Sequence, residues 1–370
     1  MTQRASLRVL VLCERLDVTG GVERFVCALA QQLAGDGMDV AVGSVDTPAR
    51  NLRYPLPASV RVTAGSGAPE APPRGPRAWR LLRSQWRTGR ALGRLVRDER
   101  PDVVVLNGLT TACSTLLFAR RFAKRTICCD HNHFGARSRP WQRLRQWLYP
   151  RVGAVVSLTE ADAARFRALN PRTEVIPNSS ALHADMPALP AAPTVLAVGR
   201  HVAQKGFDLL LAAWPAVVAA VPAARLRIVG DGPLRESMQR LAERLVVADS
   251  VEWLDPTPQI ERLYREAAVF VLSSRYEGMP LALLEAQALG VPAVAFDCPT
   301  GPAEIVTPDT GVLVPPEDVA ALARALIELL SDPARRERMA HAAIARSRER
   351  FSPRLQWTRW SRLVREVAAP

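Results

Sequence analysis

The chain reads as an α/β protein built from two doubly wound domains facing each other across a cleft, and three observations carry that reading. Short apolar runs rich in Val, Ile and Leu recur between amphipathic stretches, the pattern of parallel strands buried on both faces. The series starts over after a Pro-rich stretch at 186–193, which reads as a linker. At 370 residues and 48% apolar content, the chain exceeds one ordinary α/β domain and can fill two cores. The expected organisation is an N-terminal domain over 1–185, the linker, a second domain over 194–350 and a tail over 351–370.

In order, the first domain opens with a strand at 7–13, a loop holding Thr19, Gly20 and Gly21, a helical apolar pattern over 22–33 and a strand at 40–42. Further strands are expected at 101–106 and 154–158, with helices between them. The second domain begins with a strand at 194–198, continues with one at 226–229 and reaches a buried strand at 267–272. Gly230-Asp231-Gly232 joins strand to helix but lacks the third glycine of a dinucleotide site, and no chemistry is assigned to it. No repeat of solenoid period occurs.

Charge divides the chain unevenly. Residues 1–185 hold 28 Lys and Arg against 15 Asp and Glu, whereas 186–370 hold 21 of each. An excess confined to one half argues for an anionic partner of that half, either nucleic acid or an acidic membrane surface with a phosphorylated acceptor. Among 49 basic residues only Lys124 and Lys205 are lysines, so arginine is a compositional habit and a lysine stands out. Six cysteines without a Cys-x-x-Cys spacing form neither a disulfide framework nor a zinc signature, which favours a reducing compartment. No run of about 18 apolar residues is present, so an enzyme acting on lipid would attach peripherally, from the cytoplasm.

The most informative segment is Ser273-Ser274-Arg275-Tyr276-Glu277-Gly278-Met279-Pro280-Leu281-Ala282-Leu283-Leu284-Glu285-Ala286. A strand feeds a Gly-Met-Pro turn, and Pro280 suits the first turn of the helix that follows. The amides around Gly278 to Leu281 and the positive helix end favour an anion such as a nucleotide diphosphate. Glu285, one helical stretch on, can accept from vicinal hydroxyls. Gly199-Arg200-His201-Val202-Ala203-Gln204-Lys205-Gly206 likewise closes a strand and opens a helix, bringing two cations towards the same end of the sheet.

These segments, together with Gly290-Val291-Pro292-Ala293-Val294-Ala295-Phe296-Asp297-Cys298-Pro299-Thr300-Gly301-Pro302-Ala303-Glu304-Ile305-Val306, resemble the retaining glycosyltransferases of family 4, whose two-domain fold is called GT-B. The Phe-Asp-Cys-Pro-Thr-Gly-Pro run is similar to a subset that adds galactose, N-acetylgalactosamine or related sugars to lipid-linked or polysaccharide-repeat acceptors. The resemblance spans essentially the whole chain. It implies a UDP-linked hexose or N-acetylhexosamine as donor, with Glu277 positioning the sugar, Gly278, Met279, Leu281 and Glu285 binding the donor, and Arg200 and Lys205 on its diphosphate. Gly20 and Gly21 resemble the family's glycine loop, which approaches donor phosphate and acceptor. In Asp130-His131-Asn132-His133 the resemblance puts His131, rather than His133, beside the donor sugar. It also implies retention by same-face attack, and a last helix, with Trp357-Thr358-Arg359-Trp360, that returns to the N-terminal domain. No cofactor and no metal are expected: there is no Asp-x-Asp, and the two cations and the helix end can hold the diphosphate.

Arg74, Arg77, Arg80, Arg83, Arg87, Arg90, Arg94 and Arg97 recur every three or four residues, with Trp79, Leu82, Trp86, Leu92, Leu95 and Val96 as the apolar complement. Such a helix is interfacial or core-packed, and Arg80, Arg83, Arg87 and Arg90 are assigned to a membrane or lipid-linked acceptor. A second cluster, Arg137, Arg139, Trp141, Arg143, Arg145, Trp147, Tyr149 and Arg151, points the same way. Nucleic acid could explain aromatic residues among arginines, but no nucleic-acid module accompanies them and none is expected as partner. A sugar-nucleotide epimerase of GT-B type, or a Rossmann oxidoreductase, would turn over its nucleotide substrate without an acceptor.

Overall fold

The structure, a computed structural model, describes residues 6–18, 20–65 and 77–369. Thr19 of the glycine loop and Arg74 of the stripe lie outside these, as do the side chains of Arg77, Trp79 and Leu82. The chain forms two compact units, residues 1–177 with 356–370, and residues 178–355.

The first unit is built on seven parallel strands, β1 (Arg8–Leu12), β2 (Asp39–Ser44), β3 (Arg61–Ala64), β4 (Val103–Asn107), β5 (Thr126–Cys129), β6 (Ala154–Ser157) and β7 (Thr173–Val175). They lie in the order β3-β2-β1-β4-β5-β6-β7. The second unit has six, β8 (Thr194–Val198), β9 (Arg225–Val229), β10 (Val251–Leu254), β11 (Val269–Leu272), β12 (Ala293–Phe296) and β13 (Gly311–Val314), in the order β10-β9-β8-β11-β12-β13. The central strands read as unbroken apolar runs because helices cover both faces; Val103 to Leu106 and Val269 to Leu272 are all buried. In each sheet the winding reverses once, between β1 and β4 and between β8 and β11. The loops leaving the carboxyl ends of those strands diverge there and leave a crevice.

Each unit has its own core. In the second, Trp214 of the helix Phe207–Ala220 is fully buried and its indole N–H reaches Ser250 Oγ at 2.9 Å. In the first, the helix Pro353–Ala368 contributes from Gln356 onward. Buried Trp360 lies 5.6 Å from Phe25 of the helix Gly21–Gly35, and Ser361 donates to Asp36 at that helix's end. The expected return of the last helix to the N-terminal domain is therefore present.

The division of the chain differs from the expected boundary at 185. Residues 178–185 group with the second unit because their polar groups are satisfied there. Asn178 Nδ2 donates to the carbonyl of Met279 at 3.0 Å, the Ala184 amide to Ala288 at 3.1 Å, and Arg348 to the Ala184 carbonyl at 2.9 Å. Likewise the change of unit near the end falls at Gln356, inside the last helix, rather than at 351.

One close approach fixes the second crevice. Gly206, with φ of 61°, ends the loop after β8, and a Cβ there would sit 2.0 Å from the Ser273 carbonyl oxygen at the end of β11. Gly206→Ala is expected to lose about 1–3 kcal/mol of stability from the left-handed backbone alone, with the backbone clash added; chemical denaturation of the two proteins measures it.

Candidate active site

In the second unit the loops after β8 and β11 are stitched together at the crevice. The Arg275 amide donates to the Gln204 carbonyl at 2.8 Å, Gln204 Nε2 to the Tyr276 carbonyl at 3.0 Å, and Ser273 Oγ to the Lys205 carbonyl at 2.9 Å. This backbone contact places Lys205 over the turn. Its stem runs along Gly199, where a Cβ would be only 3.1 Å away, and its Nζ meets Glu277 Oε1 at 2.7 Å. Ser274 Oγ donates to the same oxygen at 2.6 Å. Two donors thus hold one oxygen of a buried carboxylate, while an ammonium with three N–H groups gives one of them to Glu277. Arg200, at the end of β8, is exposed, and among the described residues no carboxylate pairs with it.

Met279 and Gly278 form the turn into the helix Leu281–Ala288, whose N-terminus at Pro280 receives no side-chain cap. Met279 is buried, its carbonyl and sulfur both engaged by Asn178, and Leu281 is half-buried in the first turn. Glu285 is buried one turn further on, with the Tyr264 hydroxyl 2.9 Å from its Oε2. The second unit therefore gathers Lys205, Glu277, Gly278, Met279, Leu281 and Glu285 around one switch point, with Arg200 at its rim. Neighbouring His201 is wholly buried against Phe207 and Trp253, and among the described residues neither of its ring nitrogens has a hydrogen-bond partner.

In the first unit Gly20 caps and Gly21 opens the helix after β1. The same helix carries Phe25, whose ring meets His131 edge-on at 4.8 Å. His131 follows β5, half-buried, with Nε2 2.9 Å from Asn107 Oδ1 at the end of β4. Burial pushes its pKa down to about 4, so the ring is neutral at neutral pH. The adjoining Asp130 accepts from the Tyr149 hydroxyl at 2.6 Å and from Arg145 at 3.3 Å, while Arg145 also donates to the Phe134 carbonyl at 2.8 Å. This buried network clamps both sides of the loop that carries His131.

It also corrects the reading of the second basic cluster. Arg145 is 1% exposed and Tyr149 is fully buried, so neither can meet a membrane, and Trp141 packs against the core. Trp147, 41% exposed, does reach the surface, between the guanidinium groups of Arg120 at 4.5 Å and Arg151 at 5.5 Å. Together with Leu116, Ala123 and Leu148 these line a shallow notch. On the helix Arg77–Glu99, Arg80, Arg83 and Arg90 are exposed and Arg87 is half-buried, whereas Leu92, Leu95 and Val96 enter the core. Trp86 is 51% exposed beneath the Arg90 guanidinium.

Sequence reasoning missed the residues that orient the others. Ser274, three before Glu277, had a detectable spacing; Asn107, Tyr264 and Asn178 reach their partners only through the fold and left no local signal.

Residues 19–179 match the family described as Glycosyltransferase Family 4, and residues 183–346 match Glycosyl transferases group 1. Over 371 residues the chain is 28% identical to the amylovoran biosynthesis glycosyltransferase AmsD of Erwinia amylovora, an alignment covering 96% of this chain and 99% of that one. Over 162 residues, 41% of this chain and 42% of the relative, it is 39% identical to a GDP-mannose-dependent monoacylated alpha-(1-6)-phosphatidylinositol monomannoside mannosyltransferase of Corynebacterium glutamicum. The fold is similar to that of a sucrose-phosphate synthase from Thermosynechococcus elongatus, with a TM-score of 0.84 at 21% identity over 98% of this chain and 99% of that one.

The depressed pKa of His131 has a thermodynamic consequence. Between pH of about 4 and 6.5 the unfolded chain binds a proton that the folded ring refuses, so stability falls as pH drops through that window. The contribution is at most about 3 kcal/mol. His131→Gln should flatten the dependence of unfolding free energy on pH across this window relative to the wild type, as read by denaturant titrations at each pH.

Proposed function

We propose that this chain, which has the GT-B fold and whose two halves match the Glycosyltransferase Family 4 and Glycosyl transferases group 1 models, is a glycosyltransferase that moves a hexose or N-acetylhexosamine, with retention, from a UDP-linked donor to a lipid-linked or cell-envelope saccharide acceptor. The observation that carries this reading is the Lys205–Glu277 pair at the switch point between β8 and β11, beside a helix N-terminus and Glu285. Lys205 and Arg200 neutralise the diphosphate as charge builds on the leaving group, so the protein's own cations do the work a metal does in other transferases. Glu285 accepts from the ribose hydroxyls. Glu277, held by Lys205 and Ser274, orients the sugar ring, and the amides of Gly278, Met279 and Leu281 face the donor. His131, neutral, positions the transferred sugar rather than forming a bond to it, and Gly20 and Gly21 leave room for donor phosphate and acceptor. The departing phosphate assists attack on the face it leaves, which retains the anomeric configuration.

The first unit is assigned the acceptor and an anionic membrane surface, from the cytoplasmic side. No helix among the described residues is long and apolar enough to cross a membrane. The support is the cationic face of the helix Arg77–Glu99 with exposed Trp86, and Trp147 flanked by two arginines. Anionic lipid contributes about 1 kcal/mol per basic residue near it, and indoles suit the headgroup layer. Relatives named for amylovoran biosynthesis and for a phosphatidylinositol monomannoside accord with such acceptors. The second of these names GDP-mannose, which favours a guanine nucleotide as the alternative donor.

Two outcomes test the assignment. Lys205→Ala and Glu285→Ala should each lower transfer on the order of 100-fold at subsaturating donor and shrink the thermal stabilisation by the donor. A panel of UDP-, GDP- and ADP-sugars identifies that donor, and near-wild-type transfer by either folded variant defeats the site. Changing Arg80, Arg83, Arg87 and Arg90 together to Glu should reduce flotation with anionic liposomes and turnover of a lipid-linked acceptor while leaving donor affinity and the thermal midpoint intact. Unchanged flotation makes the stripe a solvated face only.

A further inference from the structure

Asn107 leaves only one hydrogen-bonding assignment for the ring of His131. Asn107 closes β4 and is buried, with its Nδ2 3.1 Å from the carbonyl oxygen of Leu12 at the end of β1. A carbonyl only accepts, so the amide must turn its NH2 end to Leu12 and its oxygen to His131. An amide oxygen also only accepts. The imidazole nitrogen 2.9 Å away, Nε2, must therefore carry a proton. In a neutral ring the other nitrogen, Nδ1, then keeps its lone pair. Among the described residues no hydrogen bond reaches Nδ1. The surroundings keep the ring neutral: burial alone accounts for its low pKa, and no charged group adds to it. Of the titratable groups on the adjoining elements, Asp130 is held by Tyr149 and Arg145, and the thiols of Cys27 and Cys129 are pushed up by burial and stay protonated. Glu23 and Arg24 lie on the helix that carries Phe25.

We propose that Asn107 is a positioning residue that locks His131 in its Nε2–H tautomer, so that Nδ1 is left to accept a hydrogen bond from a hydroxyl of the transferred sugar. The proposal rests on the reading of His131 as the residue beside that sugar. An acceptor there suits a neutral hydroxylated sugar; a second acceptor, such as a carboxylate, would face lone pair against lone pair. The lock is a property of the protein alone and exists before any donor binds.

The test combines a spectroscopic signature with kinetics. In full-length protein labelled with 15N-histidine, the ring assigned by its loss in His131→Gln should show a protonated Nε2 and an unprotonated Nδ1 at pH 7. Asn107→Leu removes the acceptor and should bring the two nitrogen shifts towards their averaged values while lowering transfer on the order of 10-fold. Asn107→Asp keeps the shape but sets a carboxylate against Nε2, which favours the imidazolium. It should move the acid limb of the pH–rate profile upward by at least one unit, because a protonated Nδ1 can no longer accept. In the His131→Gln background, Asn107→Leu should change transfer less than twofold. A wild-type ring protonated at Nδ1, or an Asn107→Leu penalty undiminished in that background, overturns the lock. Wild-type transfer by His131→Gln overturns instead the placement of His131 beside the sugar, and the nitrogen shifts distinguish the two failures.

Discussion

Both units depend on the reversal of winding in a parallel sheet. Parallel strands need helical crossovers on both faces, so polar chemistry has no room except where neighbouring connections part. In the second unit that place lies between β8 and β11, and the chain closes it backbone to backbone: Gly206 against Ser273, Gln204 against Arg275. Lys205 and Glu277 meet because these main-chain contacts hold their loops in register. Their pairing is thus a consequence of the fold, and the rigidity it confers on the turn after β11 follows from the same hydrogen bonds.

A buried charge does comparable work in the first unit. Asp130 and Arg145 are both removed from water, a costly arrangement unless every lone pair and N–H is used. Tyr149, the Phe134 carbonyl and the face of the Phe134 ring, 3.5 Å from the guanidinium, use most of them. What the arrangement secures is geometry: residues 130–134 must leave β5 in one direction, which sets the His131 ring against Asn107 and Phe25. Removing either charge would strand the other, so the network and the placement of His131 are coupled.

The abundance of arginine has two structural outcomes. Arg145 and Arg336 are buried and hydrogen-bonded to main-chain carbonyls, serving the interior. Arg80, Arg83, Arg90, Arg120 and Arg151 stay at the surface, two of them flanking an exposed indole. One residue type therefore builds the core and the cationic face, and only burial distinguishes the two uses.

The sequence by itself determined the elements and the motif, because these depend on local pattern. Apolar runs marked the strands, the Pro-rich stretch marked a passage between domains, and Glu277 and Glu285 were recognisable from a strand, a Gly-Met-Pro turn and a helix. The tertiary structure decided the partners. Lys205 and Glu277 are 72 residues apart, Tyr264 and Glu285 are 21 apart, and Asn107 and His131 are 24 apart. Each pair is joined by strand order or helix packing rather than by spacing. The boundary at 177 and the burial of Arg145 beside exposed Arg143 were equally hidden, since no local rule says which arginine of a basic helix turns inward. Period and propensity act over a few residues, whereas the carboxylates and rings of this site are aimed by contacts that exist only once both sheets have formed.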